Sequence, residues 1–141
     1  MMAETMTNER ASPSYQVNQI LKLLGPAIRR LGFKGAGQTY RRVEDDNVFV
    51  INLQFSRARN VFYANLGAQP TFTPALGGAE LATLKEYACV MRTRVGRDWP
   101  LDLDEEGVPP LVREIDDKQR DFFGRARPCA SRWRQIRLRN C

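Results

Sequence analysis

Val48-Phe49-Val50-Ile51-Asn52-Leu53-Gln54-Phe55 is the stretch that decides the fold. Its period is two, so Phe49, Ile51, Leu53 and Phe55 share one face of an extended chain while Val48, Val50, Asn52 and Gln54 take the other. One large apolar face backed by one that turns polar predicts an antiparallel strand buried on a single side. Residues 38–44 precede it across Asp45-Asp46-Asn47, whose side chains tolerate turn conformations, and the two segments are expected to form a hairpin. Residues 57–60 make a second turn. A third strand follows over 61–66, with Phe62, Ala64 and Leu66 alternating against Val61, Tyr63 and Asn65.

Residues 69–78, with Pro70, Pro74, Gly77 and Gly78, are a loop by composition. A fourth strand is predicted over 87–95, Cys89, Met91, Thr93 and Val95 lying opposite Val90, Arg92 and Arg94. Upstream, Ser12-Pro13 offers a helix N-cap followed by proline in the first turn, and Val17, Ile20, Leu21, Leu24, Ile28 and Leu31 recur at spacings of three and four. Gly25-Pro26 falls inside that pattern and predicts a kink or a break into two short helices. Gly32 is placed to end it in a left-handed cap. Downstream, Pro100, Pro109 and Pro110 interrupt the chain before a second helix over 111–123.

These elements predict an α+β fold. A kinked N-terminal helix packs on one face of a three- or four-stranded antiparallel meander, with a C-terminal helix, in the order α-β-β-β-(loop)-β-α. With 141 residues the chain has room for one domain, read as a disordered leader over 1–14, a single α+β domain over 15–124 and a basic tail over 125–141 whose order the sequence leaves open.

The pieces Leu31-Gly32-Phe33-Lys34, Thr39-Tyr40-Arg41, Val50-Ile51-Asn52-Leu53-Gln54-Phe55-Ser56-Arg57, Asn65-Leu66-Gly67 and Arg92-Thr93-Arg94-Val95-Gly96 occur in that order. A proline-containing helix precedes them and Trp99 follows. Over about residues 15–100 the chain thereby resembles the bacterial domain of unknown function 4304 family. That resemblance implies the helix-then-meander architecture and brings no catalytic residues with it. The C-terminal end departs from it, with 6 arginines, 2 cysteines and a tryptophan in residues 125–141. A shifted reading frame of GC-rich coding sequence yields the same composition, which leaves a functional arm and a frame scar as alternatives.

Composition narrows the chemistry. There is no histidine, which removes Ser-His-Asp, Cys-His and histidine-metal sites. The carboxylates cluster in a turn at Glu44-Asp45-Asp46 and in a loop at Asp102-Asp104-Glu105-Glu106, where they read as solvent-facing charge. No phosphate-binding loop or cofactor motif is present, and Gly32, Gly35 and Gly37 follow a helix, the reverse of the dinucleotide-binding context. The expectation is a protein that is not an enzyme and carries no cofactor. Cys89, Cys129 and Cys141 lack paired spacing, which points to a reducing cytoplasm. Neither a secretory leader nor a membrane-spanning run is visible.

Lys plus Arg outnumber Asp plus Glu by 22 to 16. The surplus is uneven: residues 98–117 hold 8 acids and 1 base, and residues 118–141 hold 8 bases and 1 acid. Opposite blocks this close attract, so mutual neutralisation within the chain or across a homodimer competes with any external partner.

Two binding surfaces emerge. If Phe49 and its neighbours face the core, then Asn52 and Gln54, Tyr63 and Asn65, and Arg92 and Arg94 project together on the opposite side, where arginines with amides and a phenol can hold a carboxylate or phosphate. A solvated outer face of cross-strand polar pairs has the same residues. The second surface is the tail: Arg125, Arg127, Arg132, Arg134, Arg137 and Arg139 would contact phosphates, with Trp133 stacking on a base. The favoured expectation is an interaction or regulatory module docking an unknown protein partner through the sheet face. The alternative is an electrostatic nucleic-acid binder working through the tail.

Overall fold

The computed structural model describes residues 12–44, 46–72, 75–78 and 80–139, with the backbone alone for Pro13, Leu76 and residues 127–139. Helix α1 (Pro13–Arg30) starts where Ser12 predicts: the Tyr15 N–H donates to the Ser12 hydroxyl at 3.2 Å, satisfying one of the orphan donors of the first turn. It ends at Leu31 and Gly32, the latter at φ +99°. The expected break at Gly25-Pro26 does not occur. The helix is continuous through Pro26, because Ile20, Leu24, Ala27 and Ile28 lie buried on both sides of it and packing outweighs one lost hydrogen bond.

Among the described residues six strands follow: β1 (Lys34–Ala36), β2 (Thr39–Glu44), β3 (Asn47–Ser56), β4 (Val61–Pro70), β5 (Met91–Arg94) and β6 (Trp99–Pro100). They form one antiparallel sheet in the order β1-β2-β3-β4-β5, with β6 pairing further along β4. The fold is α+β. The second turn is where it was expected, and Asn60 takes a left-handed conformation there. Asp46 lies in the first turn, while Asp45 is outside the described residues. The β2–β3 hairpin sets Tyr40 opposite Ile51, and β4 sets Leu66 opposite Ile51 from the other side.

Three strand expectations need correction. The third strand runs on through Gln69 and Pro70, residues assigned by composition to the loop. The fourth is only Met91–Arg94, since residues 86–88 form a short 3-10 turn instead. Cys89 therefore lies before β5 rather than on its core-facing side, and is buried in a separate cluster on the other face of the sheet. β1 and β6 are additional.

Helix α2 (Val108–Arg139) is longer than predicted at both ends. Pro109 and Pro110 sit in its first turn, where an absent N–H breaks no helical bond. Leu111, Ile115, Phe123 and Ala126 are fully buried at helical spacing, with Val108, Val112 and Phe122 packed beside them. The helix continues past the expected boundary at 124.

Both helices cover the same face. Phe123 stacks on Phe49 with ring centroids 4.2 Å apart and tilts against Phe33 at 6.1 Å, tying α2 to the strand that decides the fold. Each such side chain contributes on the order of 1.5–3 kcal/mol by burial. Trp99, paired across from Phe62, closes the far end of this core.

Candidate functional site

The opposite face of the sheet divides in two. Over one half, residues 75–78 and 80–89 fold back and bury Ala75, Leu84, Ala88 and Cys89 against Val48 and Val50. Gly67 of β4 permits this closeness, since a Cβ there would lie 2.7 Å from Cys89 Sγ. Arginines hold the loop from both flanks: Arg41 Nε on β2 donates to the Leu84 carbonyl at 2.7 Å, and Arg92 Nε on β5 donates to the Glu86 carboxylate at 3.0 Å. Cys89 is inert as a nucleophile in this setting. Burial, then the Glu86 charge, push its thiol up to about 12 against the opposing pull of Arg92 and Arg41.

The other half is the open polar face. Register places Thr39, Asn52, Asn65 and Arg94 side by side on β2, β3, β4 and β5, with Gln54 and Tyr63 paired in the neighbouring row. Arg94 is fixed by three neighbours. Its Nε donates to Asn65 Oδ1 at 2.8 Å, its Nη2 donates to Gln54 Oε1 at 3.2 Å, and its guanidinium lies 4.1 Å from the Tyr63 ring centroid. Asn65 in turn donates its amide to Gln54 Oε1 at 2.9 Å, so each partner is itself oriented.

Gln54, Tyr63, Asn65 and Arg94 are thus brought together as one constellation. Asn52 shares the row but turns its amide to the Gln38 carbonyl and the Thr39 hydroxyl. Arg92 is drawn away to Glu86 as a loop clamp. The sequence reading missed Arg59, whose Nη1 donates to the Tyr63 hydroxyl at 3.3 Å and adds a second cation to the face. Its signal was a basic turn residue four positions before an outward-facing tyrosine.

Of the tail residues, Arg125 has a described side chain, and it pairs with Asp121 one helical turn earlier at 2.8 Å. The side chains of Arg127, Arg132, Trp133, Arg134, Arg137 and Arg139 lie outside the described residues, although their backbone continues α2.

A polar cleft of about 460 Å³ opens where α1, β2 and α2 meet. Arg42 spans it. Its guanidinium lies 4.6 Å from the Phe33 ring centroid, and it donates to the Leu31 carbonyl and to Gln119 Oε1 while facing Glu44 at 3.5 Å. Gln119 and Arg120 both donate to Asp116 Oδ1, at 2.8 and 3.0 Å. Burial alone would raise the Asp116 carboxyl, and these hydrogen bonds outweigh it, leaving the group below the usual carboxylate range. The network makes the cleft a polar joint between the elements.

Among the described residues, no three cysteine or carboxylate side chains gather in a way that could hold a metal ion. No described helix is long and apolar enough to cross a membrane. The model of one family, the domain of unknown function DUF4304, matches residues 24–121. That span takes in the whole sheet, the clamped loop and α2 as far as Asp121. No curated protein and no protein of solved structure matches the chain.

Proposed function

We propose that this chain, which belongs to the family of the domain of unknown function DUF4304, is a nonenzymatic cytoplasmic interaction or regulatory module whose open sheet face takes an anionic group of a partner protein. The observation that carries the reading is Arg94. Two neutral amides and an aromatic ring hold its guanidinium in place, and among the described residues no carboxylate pairs with it. Among the described residues, three of its five N–H hydrogens have no acceptor and remain for a ligand. A cation prearranged in this way loses little freedom on binding a carboxylate or phosphate oxygen.

The nonenzymatic part rests on the absence of histidine from the chain and on the Cys89 thiol being buried under the loop. The constellation of Gln54, Tyr63, Asn65 and Arg94 can hold an anion but contains neither a histidine nor a carboxylate. Cysteines without paired spacing support the cytoplasmic setting. The tail reading has less behind it, since Arg125 is already paired within α2 and the family match ends before the basic run.

The test is a nuclear magnetic resonance titration with a short polyglutamate peptide and with inorganic phosphate, following the side-chain signals of Arg94 Nε–H and the Asn65 and Gln54 amides. Shifts at these three groups are expected, those of the Asn65 and Gln54 amides disappearing in Arg94→Gln. Unchanged signals, or equal shifts in the variant, would overturn the reading.

A further inference from the structure

We propose that the free edge of β5 admits a partner chain as an additional antiparallel strand, an extended segment with a carboxylate across from Arg94. This rests on the reading that the sheet face binds an anionic protein group, and it adds how the partner's backbone is held.

Register supplies the first argument. The Val95 N–H donates to the Ala64 carbonyl at 2.8 Å, and Thr93 and Met91 lie opposite Leu66 and Ala68. Antiparallel pairing alternates, so residues 91, 93 and 95 turn their backbone groups toward β4 while Arg92 and Arg94 turn theirs away. β5 ends the strand order, and β6 pairs with β4 rather than with β5. No backbone bond joins Arg92 or Arg94 to another described segment. Two N–H and two C=O groups therefore form an unfilled ladder beside the Arg94 constellation.

Charge selects the occupant. A strand added to β5 places the side chain opposite Arg94 on the open polar face, within reach of its guanidinium. A second copy of this chain pairing edge to edge would bring Arg92 and Arg94 of both copies together, and like charges directly opposite destabilise a ladder. Cationic side chains on a short edge strand discourage self-pairing in this way, and the same charges favour an acidic strand. Arg92 is engaged by Glu86 at 3.0 Å, so Arg94 makes the distinction.

The experiment uses the full chain and an acetylated heptapeptide with glutamate at its third and fifth positions and valine and threonine elsewhere. A control peptide carries N-methyl groups on both glutamates, which keeps the carboxylates but removes the N–H groups that would face β5. Amide hydrogen exchange is read residue by residue. The Arg92 and Arg94 amides are expected to slow by roughly tenfold or more at saturating parent peptide, with no slowing by the control peptide and a weakened response in Arg94→Gln. If both peptides shift the Arg94 side chain equally and the backbone amides stay unprotected, the edge is overturned while the binding face stands. If the amides are protected equally in Arg94→Gln, selection by that charge is overturned. Protection that grows with protein concentration without peptide would make a second copy the occupant and overturn the proposal. No response of any kind at roughly millimolar peptide would overturn both readings.

Discussion

Arg41 Nε donates to the Leu84 carbonyl at 2.7 Å across 43 residues of chain, fastening the middle of the long loop to β2. Beyond Leu84 the same loop is fastened to β5 through Glu86 and Arg92. Of the loop's large apolar side chains, Leu84 is fully buried and Leu81 packs partly against the same cluster, while Tyr87 and Val90 are exposed. Polar clamps therefore carry much of its placement, and through it the boundary between the covered and open halves of the face.

Arg41→Ala should release the loop without unfolding the sheet. Losing a charged donor at a part-buried carbonyl is expected to cost about 1 kcal/mol. The amides of Leu84, Ala88 and Cys89, which close the short 3-10 turns, are expected to exchange roughly tenfold faster, while those of β3 and β4 keep their protection. Uniform acceleration across the protein would mean that the clamp holds the whole fold instead.

Gly67 tests the same contact from below. Its substitution by alanine would place a Cβ 2.7 Å from Cys89 Sγ, 3.0 Å from Cys89 Cβ and 3.2 Å from the Glu86 carbonyl, so the loop must lift. Gly67→Ala is expected to destabilise by about 1–3 kcal/mol in denaturant unfolding. Adding Cys89→Ala removes the nearest atom and should recover part of that loss. Purely additive costs in the double variant would show that the two positions do not meet.

Cys89 also gives the protein an alkaline liability. Its thiol stays protonated in the folded chain up to about 12, against an ordinary value of 9.0. The unfolded state therefore loses this proton first, and folding stability from this group, complete below about pH 9, falls as pH rises toward 12 at up to roughly 1.4 kcal/mol per pH unit. In a background with Cys129 and Cys141 replaced by serine, the folded protein should resist alkylation at pH 8, and Cys89→Ala should flatten the alkaline decline. Rapid alkylation, or an identical decline in the variant, would contradict the buried thiol.

Phe49, Ile51, Leu53 and the β3 turns were legible because alternation on a half-buried strand leaves a strict period of two. Gln54, Tyr63, Asn65 and Arg94 followed by parity, since residues of adjacent strands on one face become neighbours once the turns are placed. Val48 and Val50 shared that parity yet are buried, because the loop that covers them draws Ala75, Leu84, Ala88 and Cys89 from a stretch with no periodicity. Cys89 was misplaced for the same reason: extending the β5 alternation backward assumes a strand and would turn the Val90 N–H away from β4, whereas that N–H donates to the Gln69 side chain. Lys34-Gly35-Ala36 gives no strand signal, and pairs only because the β2 hairpin returns beside it.

The C-terminal boundary can be placed by stability and then used to separate the two functional readings. Ala126 is 1% exposed and belongs to the main core, so a chain ending at Gly124 loses packing as well as charge. A chain ending at Arg127 keeps Ala126 and the Arg125–Asp121 pair while removing the remaining basic residues. The chain ending at Arg127 is expected to unfold at the same denaturant concentration as the full chain, and the one ending at Gly124 to lose about 1 kcal/mol. Fluorescence anisotropy with a single-stranded oligonucleotide at low and physiological salt then compares the full chain with the one ending at Arg127. If the sheet face is the binding surface, both are expected to fail to saturate at physiological salt. Tight binding by the full chain alone, steepening as salt falls, would transfer the function to the arginines beyond residue 127 and reduce the Arg94 constellation to scaffold.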